Sequence, residues 1–355
     1  MPRTSLVVIA ATLSQFNIPE AGLLMIMGID TFLEMGRSDG TARPGAGRPG
    51  ARLMRPLLAA GVLALAALCA ASAVAQDDTG LSPTLAVIKR DGVVRLGYRE
   101  ASPPFSFLDQ ARRPIGYSLE LCQAVVQEIG TEVDSPYLRT EYVKVTSDTR
   151  IQALLDSKVD FECGSTTNNA ERRQVVAFSP LIFVAGTRLM VPKASKVSGI
   201  ADLKGKTIVV SRGTTNAQAI DAADKRLGLG LTIVTADDHE HSYQMLAESK
   251  VDAFATDDIL LYGLIARHRT QDRFAVVGDL LSYEPYGIMF RKDEPQLAKV
   301  VERTFRKLAT NHDLAPLYEK WFMRRLPTGE QMNVPMSPQL EEAFKALDTA
   351  PTSTR

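Results

Sequence analysis

Three arginines stand where a strand-like run gives way to a turn: Arg99 after VVRLGY, Arg150 after EYVKVTSDT and Arg172 after FECGSTTNNAE. A guanidinium is a planar, permanently charged fork that binds a carboxylate through two parallel N–H···O bonds. The same turns carry hydroxyls. Ser147 precedes Arg150, Ser165 and Thr167 precede Arg172, and Thr215 lies in RGTTN at another strand-to-helix turn. One acid, Asp257, ends the run VDAFATD and is placed to receive an ammonium. Such a set suits a small molecule with two carboxylates and one ammonium, whose desolvation calls for cationic forks, O–H or N–H donors and one carboxylate. Three arginines against one aspartate also leave positive charge for a ligand of net charge minus one. Taken singly, each residue has a bland reading: a first-turn arginine is a surface residue, and SDTR is equally a helix cap. Only their common placement after strands favours the set.

Motifs of other chemistries are missing. The sequence has no H-E-x-x-H, C-x-x-C or G-x-S-x-G, and GSTTNN at 164–169 lacks the lysine of a phosphate-binding loop. His239 and His241 beside Asp237 and Asp238 would make a metal cluster, but the favoured reading is a solvated loop at a helix start. No metal and no cofactor are expected, and the chain reads as a binding protein rather than an enzyme.

The elements that must position these residues alternate. Strands are predicted at Val93–Tyr98, Glu141–Val145, Phe161–Cys163, Thr207–Ser211, Thr232–Thr235, Ala253–Thr256 and Gly287–Arg291. Helices are predicted at Leu119–Ile129, Arg150–Ser157, Thr215–Leu227, His241–Ser249, Asp258–Arg267 and Gln296–Asn311. Alternation of this kind predicts an α/β fold with largely parallel sheets, whose ligands sit at the carboxyl ends of strands near helix N-termini. Two extended apolar segments, Ile182–Met190 and Tyr283–Arg291, read as crossings between two lobes that permit hinge closure.

The 355 residues carry 41 basic and 41 acidic side chains, a balance that argues against nucleic acid as a partner. Between Arg52 and Asp78 a basic start, an apolar stretch from Leu57 to Leu68 and the triplet Ala73-Val74-Ala75 make a secretory signal peptide (52–75) cleaved after Ala75. A lipid anchor on Cys69 is the alternative, disfavoured by the bulk of Leu68. Export to an oxidising compartment leaves Cys122 and Cys163 as either one disulfide or two separate thiols. Met54 is the expected true start. The preceding segment, 1–51, contains IPEAGLLMIMGIDTFLEMGRS, which resembles the last core helix of the dicarboxylate and acidic amino acid cation symporters. In that family the positions matching Asp30, Glu34 and Arg37 handle cation and substrate. The rest of such a transporter is absent, so the segment reads as a remnant joined through a Gly/Pro/Arg-rich linker.

From about Leu81 to Met336 the chain resembles the periplasmic glutamate/aspartate-binding proteins of the polar amino acid ABC importers, within solute-binding protein family 3. The likeness rests on GYREASPPFSF, PIGYSLELC, VTSDTRIQALLDSKVDFECGSTTNNAER, AFSPLIFVAGTRL, ADLKGKTIVVSRGTT, DDHEHSYQML, VDAFATDD and YGIMFRKDEP. The resemblance implies a two-lobed type II periplasmic-binding-protein fold, with 81–183 plus 287–345 as one lobe, 184–286 as the other and 346–355 as a disordered tail. It implies a monomer that hands L-glutamate or L-aspartate to a membrane permease. By the same resemblance Arg99, Ser147, Arg150 and His239 grip the side-chain carboxylate; Thr167, Arg172 and Thr215 hold the α-carboxylate; Asp257 and Ser165 take the ammonium; and Cys122 pairs with Cys163. An enzyme of the cyclohexadienyl dehydratase type, with Glu162 or Asp257 as general acid, and a ligand-sensing domain are the alternatives on this fold.

Overall fold

A computed structural model describes residues 80–349. The signal peptide read at 52–75, the symporter-like stretch 1–51 and residues 350–355 lie outside the described residues. Helix α1 (Pro83–Asp91) leads into β1 (Val93–Tyr98), then the short strands β2 (Ala101–Ser102), β3 (Ser106–Leu108) and β4 (Pro114–Ile115). Helix α2 (Tyr117–Glu132) returns the chain to β5 (Arg139–Lys144), and α3 (Arg150–Leu155) returns it to β6 (Phe161–Glu162). A 3-10 turn at Arg172–Gln174 precedes β7 (Val176–Phe178), and β8 (Phe183–Ala185) leads out of this half. The second half runs β9 (Thr187–Pro192), β10 (Thr207–Ser211), α4 (Thr215–Leu227), β11 (Thr232–Ala236), α5 (His239–Ala247), β12 (Ala253–Asp257), α6 (Asp258–His268) and β13 (Phe274–Val277). Strand β14 (Glu284–Tyr286) leads back to β15 (Met289–Arg291), α7 (Pro295–Thr310), α8 (Leu314–Tyr318) and α9 (Pro338–Thr349).

Two five-stranded sheets of one plan result, ordered β5-β1-β6-β15-β7 and β11-β10-β12-β9-β13. In each, the first three strands run parallel. The fourth, β15 or β9, runs antiparallel to both neighbours. The expected parallel character therefore holds for strands joined through helices and fails for these two. Parallel pairing needs a crossover that brings the chain back to its starting edge, and β9 and β15 enter directly from a crossing with no helix to turn them round. The crossings β8 and β14 pair with each other, Phe183 opposite Tyr286 and Ala185 opposite Glu284.

Local sequence explains the elements that matter most. Strand β12 is buried at every position, the signature of a strand covered on both faces. Helix α4 stops at Gly228, whose φ of 59° is the left-handed conformation a helix end favours in glycine. Helix α2 buries Leu121, Cys122, Val125, Val126 and Ile129 along one face. Phe105, Phe183, Tyr286 and Phe322 interlock where the crossings leave the first sheet, with Phe105 at 5.1 Å from both Phe183 and Tyr286. Helix α5 starts at His239, two residues before the predicted start. Helix α9 runs to Thr349, into the stretch read as a tail. Cys122 and Cys163 form a disulfide, with an S–S distance of 2.04 Å and Cα atoms 6.3 Å apart.

Candidate functional site

The predicted side chains come from the carboxyl ends of strands. Arg99 follows β1, Ser147 follows β5, and Ser165 and Thr167 follow β6. Arg150, Thr215 and His239 are the first residues of α3, α4 and α5; Arg172 opens the 3-10 turn; Asp257 is the N-cap of α6. Helix N-termini there present positive dipole ends, which favour anions. An N-cap aspartate ordinarily spends its carboxylate on its own helix. Asp257 makes no such cap; its two oxygens accept from Asn216 Nδ2 at 2.6 Å and from the Tyr286 hydroxyl.

Eight of the nine residues are buried, and Thr215 is half-buried. Arg150 Nη2 and Arg172 Nη2 each donate to the Gly213 carbonyl at 3.4 Å, and Arg172 Nη1 donates to the Thr167 carbonyl at 2.9 Å. His239 Nδ1 lies 2.7 Å from Ser211 Oγ. The two halves meet around these groups: a Cβ on Gly213 would stand 2.7 Å from the Ser147 carbonyl oxygen, and one on Gly263 would stand 2.3 Å from that of Pro103. Arg267 Nη1 also reaches the Glu100 carbonyl at 2.9 Å. Arg99 Nη1 and Nη2, Arg150 Nε, Ser147 Oγ and Ser165 Oγ are buried and have no hydrogen-bond partner among the described residues. Five orphaned donors are expensive to bury unless something accepts from them.

The electrostatics are those of a desolvated cleft. Burial, then repulsion from Arg150, pushes the Arg99 and Arg172 guanidinia down to about 10, and burial lowers Arg150 too. Burial keeps His239 neutral, helped by Arg99 and Arg150. Asp257 is raised to about 7 by burial and then by the nearby Glu284 carboxylate. Opposed shifts in neighbouring groups mark sites built for charged partners.

Three corrections follow. The solvated-loop reading holds for Asp237 and His241, which are exposed, and fails for His239, which is 2% exposed. Its ring turns inward because Asp238 caps the helix through His241 N at 2.8 Å and leaves the first residue facing the sheet. The count of three arginines against one aspartate omits two buried carboxylates, Glu162 and Glu284. Glu162 Oε2 accepts from Thr166 Oγ1 at 2.6 Å and its charge acts on all three arginines. Glu284, Asn216 and Tyr286 escaped the sequence reading. Only Glu284 left a signal, a charged residue inside an otherwise apolar crossing, and its burial could not be read from that. Among the described residues no cluster of three metal-ligating side chains occurs, and no helix is long and apolar enough to cross a membrane.

A profile of the bacterial extracellular solute-binding proteins, family 3, matches residues 94–324. The L-glutamate/L-aspartate-binding protein of Pseudomonas aeruginosa is 40% identical over 290 residues, covering 81% of this chain and 94% of that protein. The glutamate/aspartate import solute-binding protein of Escherichia coli is 36% identical over 286 residues, covering 79% and 95%. Among solved structures, holo ArgBP from T. maritima aligns with a TM-score of 0.57 at 28% identity over 66% of this chain and 98% of that one. The ancestral amino acid-binding protein AncCDT-1, a precursor of cyclohexadienyl dehydratase, aligns equally well, at 0.57 and 28% over 67% and 99%. With its paired crossings and twin sheets, the chain belongs to the bacterial extracellular solute-binding proteins of family 3 and has the two-lobed type II periplasmic-binding-protein fold.

Proposed function

We propose that this protein captures L-glutamate or L-aspartate outside the cytoplasm and delivers it to the membrane permease of an ABC importer. In this reading the protein works as a monomer after cleavage behind Ala75. The observation that carries the ligand class is the group of orphaned buried donors on Arg99, Arg150, Ser147 and Ser165, which calls for a carboxylate. The relatives named for glutamate and aspartate support the same choice. Arg99, Ser147, Arg150 and His239 take the side-chain carboxylate, and Asp257 with Ser165 the ammonium; Thr167, Arg172 and Thr215 take the α-carboxylate, the two threonines through their main-chain N–H groups because their hydroxyl protons go to Glu284. The lobes are 81–183 with 287–345, and 184–286; ligand bridging them favours the form in which they meet.

Capture without turnover is the second half of the proposal. A general acid must offer a carboxyl to the substrate. Asp257 is given over to the ammonium, with Asn216 and Tyr286 donating to it, and Glu162 serves as the counter-charge of the three arginines. A thermal-shift screen of the twenty amino acids followed by calorimetry tests the whole. Glutamate or aspartate is expected to bind about a hundredfold more tightly than neutral or basic amino acids, the scale of one unpaired buried charge. Preference for arginine or glutamine overturns the ligand assignment, and turnover of a prephenate-like substrate overturns the second half.

A further inference from the structure

The crossing strand β14 carries a carboxylate that the ligand assignment leaves without a task. Glu284 is 3% exposed. Its Oε2 accepts from Thr167 Oγ1 at 2.6 Å and from Thr215 Oγ1 at 2.7 Å, while Oε1 accepts from Ser282 Oγ at 2.6 Å. Thr167 sits on the loop after β6 in the first sheet, and Thr215 opens α4 beside the second. One oxygen therefore collects a hydroxyl from each half, and brings the two hydroxyl oxygens to 3.5 Å of one another. Hydrogen bonds to a buried charge are roughly twice as strong as neutral ones. The carboxylate rides on one of the two paired strands that cross between the halves. Separation of the halves must leave it short of at least one hydroxyl, so its full set of partners exists only where they meet.

We propose that Glu284 is the positioning residue of the cleft: its carboxylate ties Thr167 to Thr215 across the two lobes and sets the spacing at which ligand is gripped. The inference rests on the amino acid clamp proposed above, but it concerns a residue outside the ligand contacts assigned there. Encounter takes place with the open form, and release requires reopening, so the tie acts on release. Glutamine in its place keeps an oxygen that accepts from both hydroxyls and loses the charge; alanine loses both.

Stopped-flow binding of glutamate to the full chain tests this. In Glu284→Ala the dissociation rate should rise about 10- to 100-fold while association stays within about threefold, with Glu284→Gln between the two, the scale of the one charge-assisted hydrogen bond that spans the halves. Thr215→Val removes the hydroxyl given to Glu284 and keeps the main-chain N–H that serves the ligand; it should give a similar rise, and combining it with Glu284→Ala should add little, because both break one tie. Circular dichroism establishes that each variant is folded. Small-angle scattering without ligand should find Glu284→Ala more extended than the wild type. Unchanged dissociation in folded Glu284→Ala, additive losses in the double variant, or identical ligand-free scattering would each overturn the proposal. If no amino acid binds the wild type, the clamp reading fails, and the scattering comparison still decides the role of Glu284.

Discussion

At the scale of single residues, the proposed clamp divides the work between its arginines. Arg172 joins the Thr167 carbonyl to that of Gly213, and in the proposal it takes the α-carboxylate common to all amino acids. Arg172→Ala is expected to abolish binding of every amino acid, a loss of about 3–5 kcal/mol or a hundredfold and more. Arg150→Ala should weaken glutamate and aspartate most. Calorimetry reads both, and unchanged glutamate affinity in Arg172→Ala would sink the assignment. Asp257 adds a pH dependence. Its folded value of about 7 lies above that of a free aspartate, so the folded chain holds the proton more tightly than the unfolded one. The stability this contributes is complete below about pH 4 and is lost as pH rises through 7. A ligand ammonium lowers that value again. The rise in Tm caused by glutamate should therefore be larger near pH 8 than near pH 5, and flat in Asp257→Asn; a flat wild-type profile refutes the ammonium role. Eight of the nine proposed contacts were picked out by their place beside a strand end, and His239 by the family resemblance alone. Glu284 was not legible, since its burial depends on Thr167, 117 positions away.

At the scale of elements, Gly263 sits inside α6, where alanine is the better helix former by roughly 0.5–1 kcal/mol. The added methyl would meet the Pro103 carbonyl oxygen at 2.3 Å, and that oxygen belongs to the other half of the molecule. Gly263→Ala should leave resistance to denaturant equal or higher while glutamate affinity falls about tenfold, an overpacking penalty relieved only by parting the halves. Denaturant titration beside calorimetry separates the two signs, and equal affinity would contradict the contact. The helices and strands that carry hydrophobic periodicity were read from sequence to within a few residues, as with β1, β10 and α4. The directions of β9 and β15 were not, because periodicity reports which face is buried and not which way the chain runs. The short amphipathic helices α1 and α9 lie outside the alternating pattern and were passed over.

At the scale of the whole molecule, the disulfide fastens α2 to the residue just before the loop that bears Ser165 and Thr167, closing 41 positions of chain. Constraint of the unfolded chain by a loop of that length is worth about 4 kcal/mol. Reduction, or Cys122→Ser, should lower Tm by about 7 °C for a chain of this size, and calorimetry with and without reductant checks it; an unchanged Tm refutes it. The two-lobed plan was legible from the two extended crossings, while the charge balance of the cleft was not, since Glu162 and Glu284 look ordinary until their partners are known. The sheet order has one further consequence, for the making of the protein. Among the described residues, strand β7 joins its sheet only through β15, the last strand there. Chains emerge from the ribosome N-terminus first, so the half begun earliest waits for Arg291. The middle of the molecule is synthesised whole before its beginning can be completed, and the chain commits to its native form late.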